Sequence, residues 1–321
     1  MNKVSILVPV YGVEKYIGKC VRSLFEQTYE NIEYIFVDDL TLDRSIDVLK
    51  SVMSEYPNVK DRVKIIKHAH NMGLAAARNT ALCEATGEYV FHMDSDDYLE
   101  IDTIALLNAK AEKAGADIVT CDYNLIYDNH NKILKSWVCQ NKADYIRALL
   151  TRRTSFNLSG KLIRRSLFIE NAVQSVNGLN QGEDYSTFPR VAYFANIYAY
   201  VEEPLYNYVQ YKKDSYTHMV DETSREQIIH AICLLIDFFE NTEIVKIDSE
   251  LLPDLKFYNQ LTLFMISPYS KYEEIVNMLP NISRIKGSKY SFLLRFYNYC
   301  MTRRLFGLMW IMIKIKIWLK K

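Results

Sequence analysis

The 321-residue chain has no Cys-x-x-Cys pair: Cys20, Cys83, Cys121, Cys139, Cys233 and Cys300 are scattered, and no histidine stands at zinc-finger spacing from them. Neither a disulfide framework nor a structural zinc is indicated, and a reducing cytosol suits such a chain best. None of the ten glycines forms Gly-x-Gly, as the glycine-rich loop of nucleotidyltransferases that build sugar nucleotides would require, and no Walker loop or dinucleotide fingerprint appears either. There is no surplus of charge, 39 basic side chains against 39 acidic ones, so nucleic-acid binding has no general electrostatic basis. Internal repeats and low-complexity tracts are missing too. The start, Met1 to Val10, has too short an apolar run for a signal peptide and no small-residue cleavage site, and it reads as a first buried strand.

What is present is a hydrophobic fraction of 49%, enough for a sizeable core. Apolar runs of about six residues alternate with amphipathic stretches through the first 125 residues, the pattern of a parallel α/β sheet. The runs predict strands near 3–9, 32–37, 62–67, 88–93 and 117–123. Between them the periodicity predicts helices over Val13–Gln27, Asp43–Glu55 and Leu74–Ala85, the last ending at Gly87 in a left-handed terminus. Residues 130–160 read as mixed and partly loop, Gly160–Phe168 and Tyr185–Phe194 as ordered, Tyr198–Tyr208 as edge strands, and 223–241 as a helix. A catalytic α/β domain over 1–215 and a helical part over 216–321 are expected.

Ligands of open parallel sheets bind beyond the carboxyl ends of the strands. The residues predicted there are Pro9, Val10, Tyr11 and Gly12; Asp38 and Asp39; His70, Asn71 and Gly73; and Asp94, Ser95, Asp96 and Asp97. Alternation along a strand would turn Asp94 and Asp96 the same way, and three acids in four residues repel unless a cation sits among them, which suits Mg2+ or Mn2+. A solvated turn capping a helix near Ile101 is the plainer alternative. Arg78, one turn into a small-residue helix, adds a positive charge that a diphosphate would want.

The set Val8-Pro9-Val10-Tyr11, Val37-Asp38-Asp39, Asn71 through Arg78-Asn79, Asp94-Ser95-Asp96-Asp97 and Gly182-Glu183-Asp184 resembles family 2 glycosyltransferases of the GT-A fold, of the bacterial surface-polysaccharide type. The resemblance covers about residues 1–215. It implies a mostly parallel, Rossmann-like sheet flanked by helices, with nucleotide-sugar binding over about 1–125 and the acceptor side over about 126–215. It also implies a metal-dependent, inverting hexosyltransferase that takes a nucleotide-diphosphate sugar, a UDP-sugar first, to a glycan or lipid-linked acceptor. Asp39 would then hold the nucleotide base with Pro9 and Tyr11 beside it. Asn71, Arg78 and Asp94 would meet the donor, Asp96 with Asp94 would bind Mn2+ or Mg2+, and Asp184 would be the catalytic base. The family continues its second motif with Gly-Ser, whereas Leu40-Thr41-Leu42-Asp43 follows here. Gly160 to Arg165 resembles the acceptor-side region, and His218 reads as a surface histidine. A nucleotidyltransferase, or a noncatalytic receiver-like module keeping its acids for a structural ion, are the alternatives.

After Glu274 there is no acidic residue but ten basic ones, leaving the rest about ten negative. Near the end, Leu305–Ile313 is the longest uncharged apolar run, too short to span a bilayer. Wound as one helix, Met301, Leu305, Leu308, Met312, Ile315 and Leu319 form a stripe bordered by lysines and arginines, with Trp310 and Trp318 nearby, which suits an anionic membrane surface on the cytoplasmic inner face. A helix packed on the protein's own domain or at a homodimer contact is the alternative.

Overall fold

The computed structural model describes residues 2–136, 141–210, 221–279 and 290–318. The first elements are β1 (Val4–Val10), α1 (Ile17–Phe25), β2 (Ile32–Asp38), α2 (Ser45–Glu55), β3 (Val63–Lys67), α3 (Leu74–Glu84), β4 (Tyr89–His92), β5 (Tyr98–Leu99), α4 (Thr103–Ala114), β6 (Ile118–Ile126) and β7 (Asn131–Leu134). Then come α5 (Lys142–Leu150), β8 (Lys161–Arg164), α6 (Ser166–Ile169), α7 (Glu183–Phe194) and β9 (Tyr198–Val209). The helices α8 (Glu222–Glu240), α9 (Glu243–Ile247), α10 (Leu251–Ile266), α11 (Tyr272–Met278), α12 (Phe292–Thr302) and α13 (Phe306–Trp318) complete the chain. His218 and Leu319 lie outside the described residues.

Two compact units result: Met1–Lys142 with Thr154–His218, and Ala143–Arg153 with Met219–Lys321. The first holds one mixed sheet in the order β3-β2-β1-β4-β8-β6-β9-β5, with β7 added beside β6. Strands β3, β2, β1 and β4 are mutually parallel, β8 runs antiparallel to both β4 and β6, and β9 is parallel to β6. Every residue of β1 is buried, as a strand covered on both faces requires. Below one face, Ile17, Cys20, Val21 and Leu24 of α1 recur at helical spacing and pack with Val4, Ile6, Val8 and Phe36. Burying each such aliphatic side chain is worth about 1.5–3 kcal/mol, so this layer fixes where the strand ends lie.

Several expectations change. The residues Tyr198–Tyr208 are not edge strands: β9 is one long strand between β6 and β5, and Pro204 sits where its register against β6 shifts between Cys121 and Tyr123, a place that needs no ladder N–H. Gly87 has no left-handed backbone; a Cβ there would lie 2.8 Å from the Lys3 carbonyl oxygen and the Ser5 nitrogen, so the glycine admits β1 rather than ending α3. Residues 130–160 hold an unexpected helix, α5, whose Tyr145, Ile146, Leu149 and Leu150 are buried.

In the helical unit, Arg147 of α5 pairs with Asp248 and with Asp254 of α10, and Tyr290 donates to Asp254 at 2.7 Å. The tail is two helices rather than one, because the chain turns at Arg303-Arg304, where Arg304 has φ +55. Met301 therefore belongs to α12 and is buried, while Leu308, Ile311 and Ile315 of α13 are exposed and Met309 and Ile313 point inward. Among the described residues, no helix is long and apolar enough to cross a membrane.

Candidate active site

The candidate residues stand on the loops at the carboxyl ends of β1 to β4 and on α3, and Arg78 of α3 joins Asp94 after β4 to the start of α7. After β1, Pro9 is buried and Tyr11 is exposed, and Gly12 donates its N–H to Thr41 Oγ1 at 2.9 Å. After β2, Asp38 accepts from the Thr41 N–H at 2.9 Å. Leu40 has φ +55, a left-handed backbone that costs a branched residue roughly 1–2 kcal/mol. The family's glycine would take that shape freely. Thr41 and Asp43 lock it instead: Asp43 accepts from Thr41, Ser45 and the Glu14 N–H, and although burial pushes its carboxyl up, these bonds pull it down to about 2.

Asp39 is buried and heavily engaged. Its Oδ1 meets His68 Nδ1 at 2.7 Å and accepts the Met72 N–H at 2.8 Å, and its Oδ2 accepts the Gly73 N–H at 2.8 Å. Gly73, at φ +86, stands immediately before α3, and a Cβ there would lie 2.5 Å from Asn180 Oδ1. Asp39 thus pins the first turn of α3, while Asn71 just before it is exposed.

Five residues along α3, about 7.5 Å of axial rise, Arg78 projects into the centre of the site. It is 2% exposed, and its Nη2 lies 3.0 Å from Asp94 Oδ1, 3.4 Å from Asp184 Oδ1 and 3.7 Å from Glu183 Oε1. Among the described residues its Nε and Nη1 have no hydrogen-bond partner, nor has Asp184 Oδ1. Burial disfavours the guanidinium charge, but Asp184, Asp94 and Glu183 more than compensate and raise its pKa. Glu183 and Asp184 open α7, where negative charge meets the helix N-terminus favourably. Burial nevertheless holds both carboxyls above their ordinary values, with added repulsion from Asp184 on Glu183 and from Asp94 on Asp184, and Arg78 opposing the rise.

The acids after β4 do not lie on a strand, since β4 stops at His92; they form a turn in which the Asp97 N–H donates to the Asp94 carbonyl at 3.1 Å. Strand alternation therefore does not orient Asp94 and Asp96. Asp97 turns inward, accepting from Tyr206 Oη at 2.8 Å and the Val209 N–H at 2.9 Å, and so ties the turn to β9. Asp94 and Asp96 remain half-buried at the surface of the turn. Among the described residues no three His, Cys, Asp or Glu side chains converge as a metal cage. Mg2+ and Mn2+ sites on diphosphates commonly take only one or two carboxylates, with phosphate oxygens and water completing the shell, so the donor set of Asp94 and Asp96 fits that chemistry.

Two buried groups escaped sequence reasoning. His92 lies 5.8 Å from the Phe168 ring, both its nitrogens lack partners among the described residues, and burial plus the nearby Arg78 charge holds its pKa well below normal. Lys161, in the segment that resembles the acceptor-side region, is 1% exposed. Its Nζ donates to Tyr123 Oη at 2.8 Å, to the Asn157 carbonyl at 2.6 Å and to Ser155 Oγ at 3.4 Å. Arg164 is spoken for, paired with Glu88 and Asp117, and Arg165 donates to the Gly87 carbonyl. Gly160 at φ +73 was the available signal, because a Cβ there would lie 2.7 Å from the Tyr123 ring.

The chain matches the sequence model described as Glycosyl transferase family 2 over residues 5–171. It is 35% identical over 213 residues to the putative glycosyltransferase EpsH of Bacillus subtilis (strain 168), covering 64% of this chain and 60% of EpsH. It is 40% identical over 122 residues to the glycosyltransferase GlyA of Streptococcus pneumoniae serotype 4, covering 38% of this chain but 17% of GlyA. With GlyG of the same organism it shares 30% identity over 219 residues, 64% of this chain and 70% of GlyG. The chain thus spans 60% of EpsH and 17% of GlyA, less than two thirds of either. Among solved structures it is similar to S. aureus TarS 1–349 in complex with UDP-GlcNAc, with TM-score 0.58, 20% identity and coverage of 85% of this chain and 84% of that one. The mannosyltransferase PcManGT from Pyrobaculum calidifontis, in complex with GDP-Man and Mn2+, gives TM-score 0.55 at 18% identity, covering 82% and 72%. The mixed α/β architecture is therefore the GT-A fold.

Proposed function

Because this chain belongs to glycosyl transferase family 2, we propose that it is an inverting glycosyltransferase acting in surface polysaccharide synthesis. In this reading it moves a hexose from a UDP-sugar to a hydroxyl of a glycan or lipid-linked acceptor. The observation that carries it is Asp184 at the start of α7, facing Arg78 and Asp94 across a buried site. The complexes named for TarS and PcManGT, with UDP-GlcNAc and GDP-Man, support a nucleotide-sugar donor.

Asp184 accepts the proton of the attacking hydroxyl while the acceptor oxygen bonds to the anomeric carbon and the nucleoside diphosphate leaves with the bonding pair. A carboxyl raised toward neutrality is a better base than an ordinary one, and burial supplies that rise. Mn2+ or Mg2+ held by Asp96 and Asp94 would neutralise charge on the departing diphosphate. Arg78 keeps Asp94 and Asp184 facing one another and supplies fixed positive charge at the donor. Asp39, with Pro9 and Tyr11, lines the base pocket; Oδ2 carries one hydrogen bond and has a lone pair left for a base N–H. Asn71 stands at the mouth. Incubation with a panel of sugar nucleotides and Mn2+ tests the activity: one donor should be consumed selectively, and Asp184→Asn should retain donor binding while turnover falls about a thousandfold or more. Full turnover by that variant removes Asp184 from its role.

The tail supports a peripheral place on the inner face of a membrane. Seven of the eighteen exposed large apolar side chains among the described residues fall between Phe292 and Ile315, beside exposed Arg295, Arg303, Arg304 and Lys314. Apolar contact with cations and no acids matches an anionic bilayer rather than an acidic or neutral protein face. The full chain should sediment with phosphatidylglycerol vesicles, and removal of residues 288–321 should abolish this. Unchanged sedimentation, or loss of a dimer instead, would assign the tail to protein contacts.

A further inference from the structure

The carboxylate of Asp39 is largely engaged before any ligand arrives. A carboxylate oxygen has two lone pairs, and those of Oδ1 are both taken, by His68 Nδ1 at 2.7 Å and by the Met72 N–H at 2.8 Å. Oδ2 accepts the Gly73 N–H at 2.8 Å and keeps one lone pair. Only 4% of the side chain is accessible, so burial as well as hydrogen bonding limits what approaches it.

The imidazole that fills Oδ1 is itself held. Because a carboxylate has no hydrogen to give, His68 Nδ1 carries one and donates it, and on the far side of the ring Nε2 meets Thr80 Oγ1 of α3 at 2.9 Å. The main chain is fixed as well. The His68 N–H donates to the Asp38 carbonyl at 2.9 Å, and the Asp39 N–H donates to the Val10 carbonyl at 3.1 Å. Ring and carboxylate are thus anchored from β1, β2 and α3 together, and neither turns without breaking bonds in a buried place.

Nucleotide bases differ in how many N–H groups they bring to such an acceptor. The pairing edge of uracil has one ring N–H between two carbonyls. Guanine has a ring N–H and an amino group side by side, spaced for both oxygens of one carboxylate. With Oδ1 filled, the second oxygen that guanine needs is already spent.

We infer that His68 is a positioning residue that sets base selectivity: by occupying Asp39 Oδ1 it leaves one acceptor site, which takes the single ring N–H of uracil and denies guanine its paired contact. The inference rests on Asp39 lining the base pocket and names what chooses between bases there.

The test is equilibrium binding of UDP, GDP and inosine diphosphate (IDP), with Mg2+ throughout, to the full chain and to its His68→Leu and His68→Asn variants. IDP keeps the ring N–H of guanine and lacks the amino group. In the native chain UDP should bind about tenfold or more tighter than GDP, and GDP no more than about threefold tighter than IDP, because the amino group meets no open acceptor. Leucine and asparagine have nearly the same shape, and only asparagine keeps an N–H where Nδ1 stands. His68→Leu should therefore cut the preference for UDP over GDP by about threefold or more and raise GDP over IDP, whereas His68→Asn should stay within about threefold of the native ratios. A larger native advantage of GDP over IDP, or a native preference for GDP over UDP, overturns the inference, and this comparison depends on no variant folding. Native ratios in His68→Leu, or His68→Asn behaving as His68→Leu does, overturn it equally. If Asp39→Asn binds UDP undiminished, or the native chain binds no nucleotide, the base-pocket reading itself has failed; if Asp39→Asn loses UDP while His68→Leu keeps the native ratios, only the role of His68 has failed.

Discussion

Replacing Arg78 with methionine removes the one cation, among the described residues, that buried Glu183 and half-buried Asp94 and Asp184 share within 4 Å, at 3.7, 3.0 and 3.4 Å. Stripping one partner from a buried ion pair costs about 3–5 kcal/mol. Against this, the guanidinium also buries Nε and Nη1 without partners, and deleting them relieves on the order of 1–3 kcal/mol. The charge effect wins because one cation serves three acids, leaving a net loss of about 2–3 kcal/mol. For a unit of this size each kcal/mol moves Tm by about 2–4 °C, so Tm should fall by about 5–10 °C. The pH dependence follows from Glu183 and Asp184. Their folded pKa values are raised, so they favour folding below their ordinary values and oppose it as pH rises through the folded ones. Without Arg78 both rise further, so the deficit of Arg78→Met should be small near about pH 5 and larger near about pH 8, where Glu183 begins to ionise. Thermal melts followed by circular dichroism at both pH values measure it. A deficit equal at the two pH values, or below about 2 °C at the higher one, refutes the shared-cation argument.

Gly160→Ala places a Cβ 2.7 Å from the Tyr123 ring at a residue with φ +73; it should lose about 2–4 kcal/mol in urea unfolding. Asp39→Asn weakens the bonds to His68, Met72 and Gly73 that pin the start of α3; donor KM should rise about tenfold or more, with hydrogen exchange faster over 68–73 and kcat less affected. Chelation with EDTA should stop donor consumption and added Mn2+ restore it, while Tm without nucleotide moves by less than about 2 °C because Asp94 keeps its bond to Arg78.

The first half of the sheet was legible because each β-α pair there is local: an apolar run, a turn acid, an amphipathic helix. Beyond residue 125 the partners become remote. Strand β8 inserts between β4 and β6, and α5 groups with helices that begin some seventy residues later, so no local window distinguishes them from loop. The acids after β4 were read as metal ligands aligned by a strand; the strand stops at His92, and the turn is tied down through Asp97, which had no assigned role, and through the bond of Asp94 to Arg78. Arg78 was visible as a charge in a small-residue helix, but its three carboxylate neighbours come from two other segments. Lys161 could not be singled out, since burial of its amine depends on Tyr123, Ser155 and Asn157, and a lysine in a basic run reads as solvated.

The grouping of Ala143–Arg153 with Met219–Lys321 has a consequence for synthesis on the ribosome. α5 emerges roughly a hundred residues before α10, whose Asp254 and Asn259 pair with Arg147 of α5 and with Arg152 just after it. Until then Tyr145, Ile146, Leu149 and Leu150 have no cover, so the nascent polypeptide carries a sticky segment through the middle of translation. Ending the gene near residue 218 would make that temporary exposure permanent, and the sheet unit expressed this way should depend on chaperones or collect in inclusion bodies.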